Sequence, residues 1–278
     1  MSYKIVVDSC CDLTDAMKKD SRIQSVPLTL NVGNVEIIDD AAFDQKSYLK
    51  LVAGTPECPK TACPSPAAYL DAYDCDADAV FVITLSEHLS GSCQSAFLAK
   101  NMYEEEDDSK QIYVIGSDSA SVGETNLALK IMELTQSGMP FKEVYAKVME
   151  YRDSMKTYFV LETLDFLRKN GRLTGVKGAI ATALSIKPVM SADSGVIKKL
   201  DQAIGIHKAH DLMCRWVKKE ARSPEKKILG IAHTNCPERA ERLKSQLLSM
   251  LNVSDVYIVN TGGVSSTYAG DGGVICAL

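Results

Sequence analysis

The stretch Thr84-Leu-Ser-Glu-His-Leu-Ser-Gly-Ser-Cys-Gln-Ser-Ala96 directly follows the apolar run Ala79-Val-Phe-Val-Ile83. That run is short, β-branched and bounded by Asp78 and Thr84, the pattern of a strand buried in a parallel sheet. Past the turn, Cys93, Ala96 and Phe97 recur at helical spacing, and Ala99 to Tyr103 continue without a breaker. A strand, a Ser/Gly turn and a helix therefore follow in order. Such a turn points N–H groups and small hydroxyls from the positive end of a helix, where a carboxylate or phosphate is held. Ser90 and Ser92 would serve equally as ordinary helix caps. Both readings stay open on this stretch alone.

The same unit occurs elsewhere. Tyr3 to Val7 reads as a buried strand ending at Asp8-Ser9, and Ile112 to Ile115 as one ending before Asp118-Ser119. Each precedes a helical pattern, capped by Asp12 or Thr14 in the first case and carrying the stripe Leu127, Ile131, Leu134 in the second. Three strand–turn–helix units predict an α/β protein whose first domain is a mostly parallel sheet flanked by helices. Loops at the carboxyl ends of such strands meet at the crevice where ligands bind. Asp8 therefore reads either as a crevice carboxylate or as a cap.

Between these units, Pro27 marks Val26 to Leu30 as an edge strand. Val35 to Ile38 is a further strand, and Asp44 caps a helix that stops near Gly54. Four prolines make 55–66 a stiff loop without regular ladders, and Ser65 caps the helix that follows. After Pro140 comes a helix bearing Phe141, Val144, Tyr145 and Val148.

The pattern changes near Lys156, so two domains are expected, 1–155 and 156–278. The second reads as a mixed sheet with helices. Its parts are a strand over 157–161, a short helix ending at Gly171, and a Gly/Ala-rich helix over 176–184 beside an apolar tunnel. A hairpin around Asp193-Ser194 follows, then a long amphipathic helix to Val217 and alternating strands and helices. A glycine-rich segment, 262–273, precedes the last strand.

Composition narrows the function. Of 278 residues, 46% are hydrophobic and 24% charged, ordinary values for a globular protein. A net charge of −5 offers no basic field for nucleic acid. Nine scattered cysteines, without a CxxC pair, argue for buried reduced thiols rather than a disulfide framework or a zinc site. No leader or membrane-length apolar run is visible, so a cytoplasmic location is expected.

Catalytic patterns are weak. The nucleophile elbow G-x-S-x-G needs a glycine where His88 stands, although His88 or His233 could still approach Ser90 in space. His207 and His210 share a helix face without a third ligand, and no metal is expected. The phosphate-loop and dinucleotide fingerprints are missing. Three readings result. The first is a binding protein whose Thr61, Ser90 and Ser92 hold a carboxylate, the second an acyl-ester hydrolase using Ser90. The third is a small-metabolite or phosphate sensor using the glycine-rich end.

The ordered motifs resemble the DegV family, the fatty-acid-binding proteins that serve as the acyl-carrying subunit of bacterial fatty acid kinase. Val7-Asp-Ser-Cys-Cys-Asp-Leu13 is similar to V-T-D-S-T-A-D-L, and Thr61-Ala-Cys-Pro-Ser-Pro66 to T-S-Q-P-S-P. Leu85 to Ser95 is similar to I-S-S-G-L-S-G-T-Y-Q-S, and Asp118-Ser119 with Ser121 and Gly123 to D-S-x-x-x-S-x-G. Leu164 to Arg172 is similar to L-x-x-L-x-K-G-G-R, and Ile186-Lys-Pro188 to I-K-P.

The resemblance implies two α/β domains with a long acyl chain buried between or within them. It implies a carboxylate held by Thr61 and Ser90, with Gly91, Ser92 and Tyr268 in the binding region. Arg172 matches an arginine expected to contact the phosphate donor or the kinase partner. The long-chain fatty acid is the ligand, no cofactor is implied, a separate kinase subunit performs the chemistry, and transient membrane contact accompanies lipid exchange. Three positions depart from the pattern. The family's H-x-G-P-G appears as Tyr268-Ala-Gly-Asp-Gly272, a family arginine aligns with Ile204, and Ala62 replaces a serine. A phenol at 268 can still donate to a carboxylate.

Overall fold

The structure, a computed structural model, describes residues 2–106, 109–174, 176 and 185–278. The strand β1 (Tyr3–Asp8) leads through α1 (Asp15–Lys18) to β2 (Ile23–Val26). Next come β3 (Thr29–Val32), β4 (Val35–Ile38), α2 (Gln45–Gly54), β5 (Lys60–Ala62) and α3 (Pro66–Tyr73). The first half ends with β6 (Ala79–Thr84), α4 (Ser92–Glu106), β7 (Gln111–Gly116), α5 (Val122–Gln136) and α6 (Phe141–Ser154). The second half opens with β8 (Thr157–Val160), α7 (Asp165–Lys169), β9 (Ile186–Asp193), β10 (Val196–Ile204) and α8 (Ile206–Glu220). It closes with β11 (Ile228–His233), α9 (Pro237–Leu248), β12 (Asp255–Asn260), α10 (Gly263–Ala269) and β13 (Val274–Ala277).

The first sheet has the order β2-β1-β6-β7, and every pairing in it is parallel. Alternation along its strands builds two layers. Val6, Val80 and Val82 pack with Tyr69 and Tyr73 of α3 and Ala96 of α4. Ile5, Val7, Phe81 and Ile83 pack with Leu127 and Ile131 of α5 and Val144 of α6. Both faces are covered, which is why these strands read as continuous apolar runs rather than alternating ones.

The second sheet, β10-β9-β8-β13-β11-β12, is antiparallel except for the β11/β12 pair. Its outer face is covered by α8 and α9 through Met213, Val217, Leu243 and Leu247. Its inner face meets α5, whose Asn126 donates to the carbonyls of Ile228 (3.1 Å) and Ala277 (3.2 Å). The approach is close: a Cβ on Gly230 of β11 would lie 2.9 Å from Val122 Cβ and 2.5 Å from the Tyr257 hydroxyl. Helix α5 thus lies between the two sheets and carries one continuous core that also includes Ala232 and Ala277.

Four expectations change. The run 26–30 does not form one edge strand. It breaks at Pro27 into β2, an edge of the first sheet, and β3, the centre of a small antiparallel sheet β4-β3-β5. The proline-rich loop contains a ladder after all, since Lys60–Ala62 lies between its prolines and pairs with Thr29–Asn31. The glycine-rich end is partly helical, as α10. Of the nine cysteines only six are buried; Cys58 and Cys75 are partly exposed and Cys63 is exposed. All nine are free. The Gly/Ala-rich stretch 176–184 lies outside the described residues apart from Val176.

Candidate functional site

A cavity of about 800 Å³ of empty space, mouth included, opens at the carboxyl ends of β6 and β7. One wall comes from the turns after β6 and β7, with Leu85, Leu89 and Ser90, and Ser119 to Ser121. Opposite stand β8 and the β9/β10 hairpin, with Phe159, Leu161, Ala192 and Ile197. Leu28, Thr61 and the α10 residues Val264 and Tyr268 line a further side. The lining is overwhelmingly apolar.

Four of the residues singled out in the sequence meet there: Thr61, Ser90, Arg172 and Tyr268 all line the cavity, and all are partly exposed. The Thr61 and Tyr268 hydroxyls are 2.9 Å apart. Ser90 Oγ lies 3.1 Å from Ser92 Oγ and accepts from the Ser92 N–H at 3.2 Å, so Ser90 caps α4 while facing the cavity. Arg172 donates to the Leu89 carbonyl (3.1 Å) and to Asn170, and its guanidinium stands 5.9 Å from the Tyr268 ring centre. Gly91 and Ser92 do not line the cavity: Gly91 is exposed against Cys63, and Ser92 is fully buried at the start of α4.

The elements that carry these side chains are held by buried carboxylates. Asp39 accepts from the Gly263 and Val264 N–H groups (2.8 and 2.9 Å), capping α10 from far away in the chain. Asp12 accepts from Gly262 N (2.5 Å) and from the Ser121 hydroxyl. Burial pushes the Asp12 carboxyl up to about 7, and the Asp39 carboxyl is raised by the same cause. Asp8, left open between crevice and cap, accepts from Leu85 N (2.9 Å) and Cys10 N (3.1 Å) behind the cavity wall. Burial raises it to about 6.

Ser121 sits in the wall with φ of 59° and ψ of −127°, a conformation side chains rarely adopt. Such strain, worth about 1–3 kcal/mol, concentrates at binding sites. The β9/β10 turn places Ser194 (φ 48°) and Gly195 (φ 76°) in the left-handed region, as a two-residue hairpin turn requires. Ser86 Oγ donates to the Gly195 carbonyl at 3.0 Å, which fastens this hairpin to the turn after β6.

Chemically, the mouth offers hydroxyl donors and one guanidinium to an anion, above apolar walls. Among the described residues no histidine is hydrogen-bonded to Ser90. His233 instead accepts from Cys236 N at 3.3 Å, on a different part of the fold. Apart from Tyr268, no cavity-lining residue of α10 or β8 is singled out by the sequence. The Ser265-Ser-Thr267 cluster was the available signal, masked by flanking glycines.

Comparison with known proteins agrees with this architecture. A family model described as "Uncharacterised protein, DegV family" matches residues 2–277. A DegV domain-containing protein of Streptococcus pyogenes serotype M1 is 34% identical over 278 residues, covering 99% of this chain and 98% of the relative. A DegV family protein of Ruminococcus gnavus, solved with vaccenic acid, is 45% identical with a TM-score of 0.97, covering 100% of this chain and 99% of that one. The Streptococcus pneumoniae Fatty Acid Kinase (Fak) B3 protein, loaded with linoleic acid, is 32% identical with a TM-score of 0.90 over 100% and 99% of the two chains. From end to end, in sequence and in backbone, this chain belongs to the DegV family.

Proposed function

We propose that the chain binds a long-chain fatty acid in the apolar cavity, with the carboxylate held at the mouth by Thr61 and Ser90. The observation that carries this reading is the meeting of Thr61, Ser90, Arg172 and Tyr268 around one apolar cavity. Hydrogen bonds to a charged acceptor are stronger than neutral ones, so two or three hydroxyls suffice to anchor a carboxylate. Tyr268 donates where the family pattern has histidine. The relatives solved with vaccenic and linoleic acid support the ligand class.

In this reading the protein performs no chemistry alone. It presents the carboxylate to a separate kinase subunit, with Arg172 beside the incoming phosphate, as the similarity to the Fak B3 protein supports. The protein acts in the cytoplasm, without a cofactor, and touches membrane only transiently during acyl exchange. No described helix is long and apolar enough to cross a membrane. The chain divides at 155/156, with the ligand between the two parts.

Native mass spectrometry of the purified protein tests the binding. A co-purified mass matching a long-chain fatty acid is expected. A ligand-free protein that ignores added fatty acid overturns it. Mixing the loaded protein with a fatty acid kinase subunit and ATP tests the second step, with acyl phosphate as the expected product.

A further inference from the structure

We propose that Asp8, Cys10 and Glu124 form a buried site for one divalent cation of the zinc class. One ligand atom from each lies within 4.8 Å of the others, a spacing that a single ion can span. All three side chains are buried, Asp8 and Glu124 completely.

The independent sign of a missing partner is Glu124. Its carboxylate oxygens meet no hydrogen-bonding group outside the cluster; only Asp8 and Cys10 approach them. The other buried carboxylates are served: Asp8 by two backbone N–H groups, Asp12 by Gly262 and Ser121, Asp39 by Gly263 and Val264. Among the described residues none of these four acids has an ion-pair partner. Native proteins leave few buried polar groups unsatisfied, and a bound ion is one way such a group is served.

The donor set selects the ion. Two carboxylates and a thiol suit zinc or its first-row neighbours, whereas calcium and magnesium take oxygen alone. Binding displaces the Cys10 thiol proton, and any proton shared by the carboxyls, to solvent; no electron moves. The three ligands come from the end of β1, the loop after it and the first turn of α5. The ion would therefore clamp the cavity's back wall to the helix between the sheets. This site does not depend on the fatty-acid reading.

Metal analysis of the full chain, purified without chelator, tests the proposal. About one equivalent of zinc or a neighbouring metal is expected. Stripping it should lower the melting temperature by several degrees, and adding zinc should restore it. Cobalt in its place should show a thiolate-to-cobalt charge-transfer band, and its absence would remove Cys10 and overturn the three-ligand site. Glu124→Gln, close to isosteric, should abolish binding. Should that variant not fold, Cys10→Ser must lose the cobalt band. A wild-type protein well under one equivalent, with no thermal response to zinc or cobalt, overturns the proposal and leaves Asp8 and Glu124 sharing a proton.

Discussion

The hydroxyls of Thr61 and Tyr268 stand 2.9 Å apart although 207 positions separate them in the chain. The first belongs to the small antiparallel sheet, the second to α10, and Asp39 holds α10 in place through its first amides. Each hydroxyl satisfies the other. A carboxylate between them would accept from both.

Replacing Thr61 by Val keeps the shape and removes one donor. Fatty acid affinity should fall by about 1–3 kcal/mol, the cost of leaving a buried polar group short of a partner. Tyr268→Phe should cost a similar amount. The double variant should lose less than the sum, because each single change also strands the other hydroxyl. Titration of a fluorescent fatty acid into the four proteins measures this, and strict additivity would separate the two hydroxyls in function.

Ser90→Ala tests the other side of the mouth. The loss of a hydrogen bond to a charged group is worth about 1.5–3 kcal/mol of affinity. Ser90 also accepts from Ser92 N, so stability should drop by about 1 kcal/mol as the cap is lost. Unchanged binding with lowered stability would leave Ser90 as a cap alone.

The strand–turn–helix units were legible because their signals are local: an apolar run, a Ser/Gly turn, a helical stripe. Ser90 emerged as a candidate for the same reason, whereas Thr61 stood in the proline-rich loop and drew attention as a hydroxyl opening the motif 61–66. Helix α10 was not legible because its residues, from Gly263 to Ala269, are mediocre helix formers and its cap, Asp39, lies 224 positions away. Strand β5 was hidden by flanking prolines, whose restriction on laddering stops short of Lys60–Ala62. Which cysteines are buried depends on packing, and Cys63, against Gly91 at the surface, had no distinguishing neighbour in sequence.

The β9/β10 hairpin gives a third prediction. A Cβ on Gly195 would lie 2.3 Å from Ser86 Oγ and 3.2 Å from an Asp118 oxygen, at a φ of 76°. Gly195→Ala should therefore destabilise the protein by about 1–3 kcal/mol through backbone strain and overpacking. Because Ala192, Gly195 and Ile197 wall the cavity, the variant should also release fatty acid faster. Thermal melts and stopped-flow displacement read the two effects separately.

His210 is expected to weaken the fold on the acid side. It is buried on α8, and neither ring nitrogen has a hydrogen-bond partner. Burial first, then the charges of Arg239, His207 and Arg242, push its pKa from 6.5 down to about 4, with Asp211 opposing. The folded state therefore prefers neutral His210, and the unfolded chain binds more protons between about pH 4 and 6.5. The linkage sign follows: stability rises with pH across this window and is lost as pH falls through it, by about 3 kcal/mol for the full shift. His210→Leu removes both the titration and the two unsatisfied nitrogens. The variant should be at least as stable as wild type at pH 7 and lose less stability on going to pH 4.5. Urea unfolding of both proteins at the two pH values measures the difference. Equal losses in the two proteins would assign the acid sensitivity to other groups.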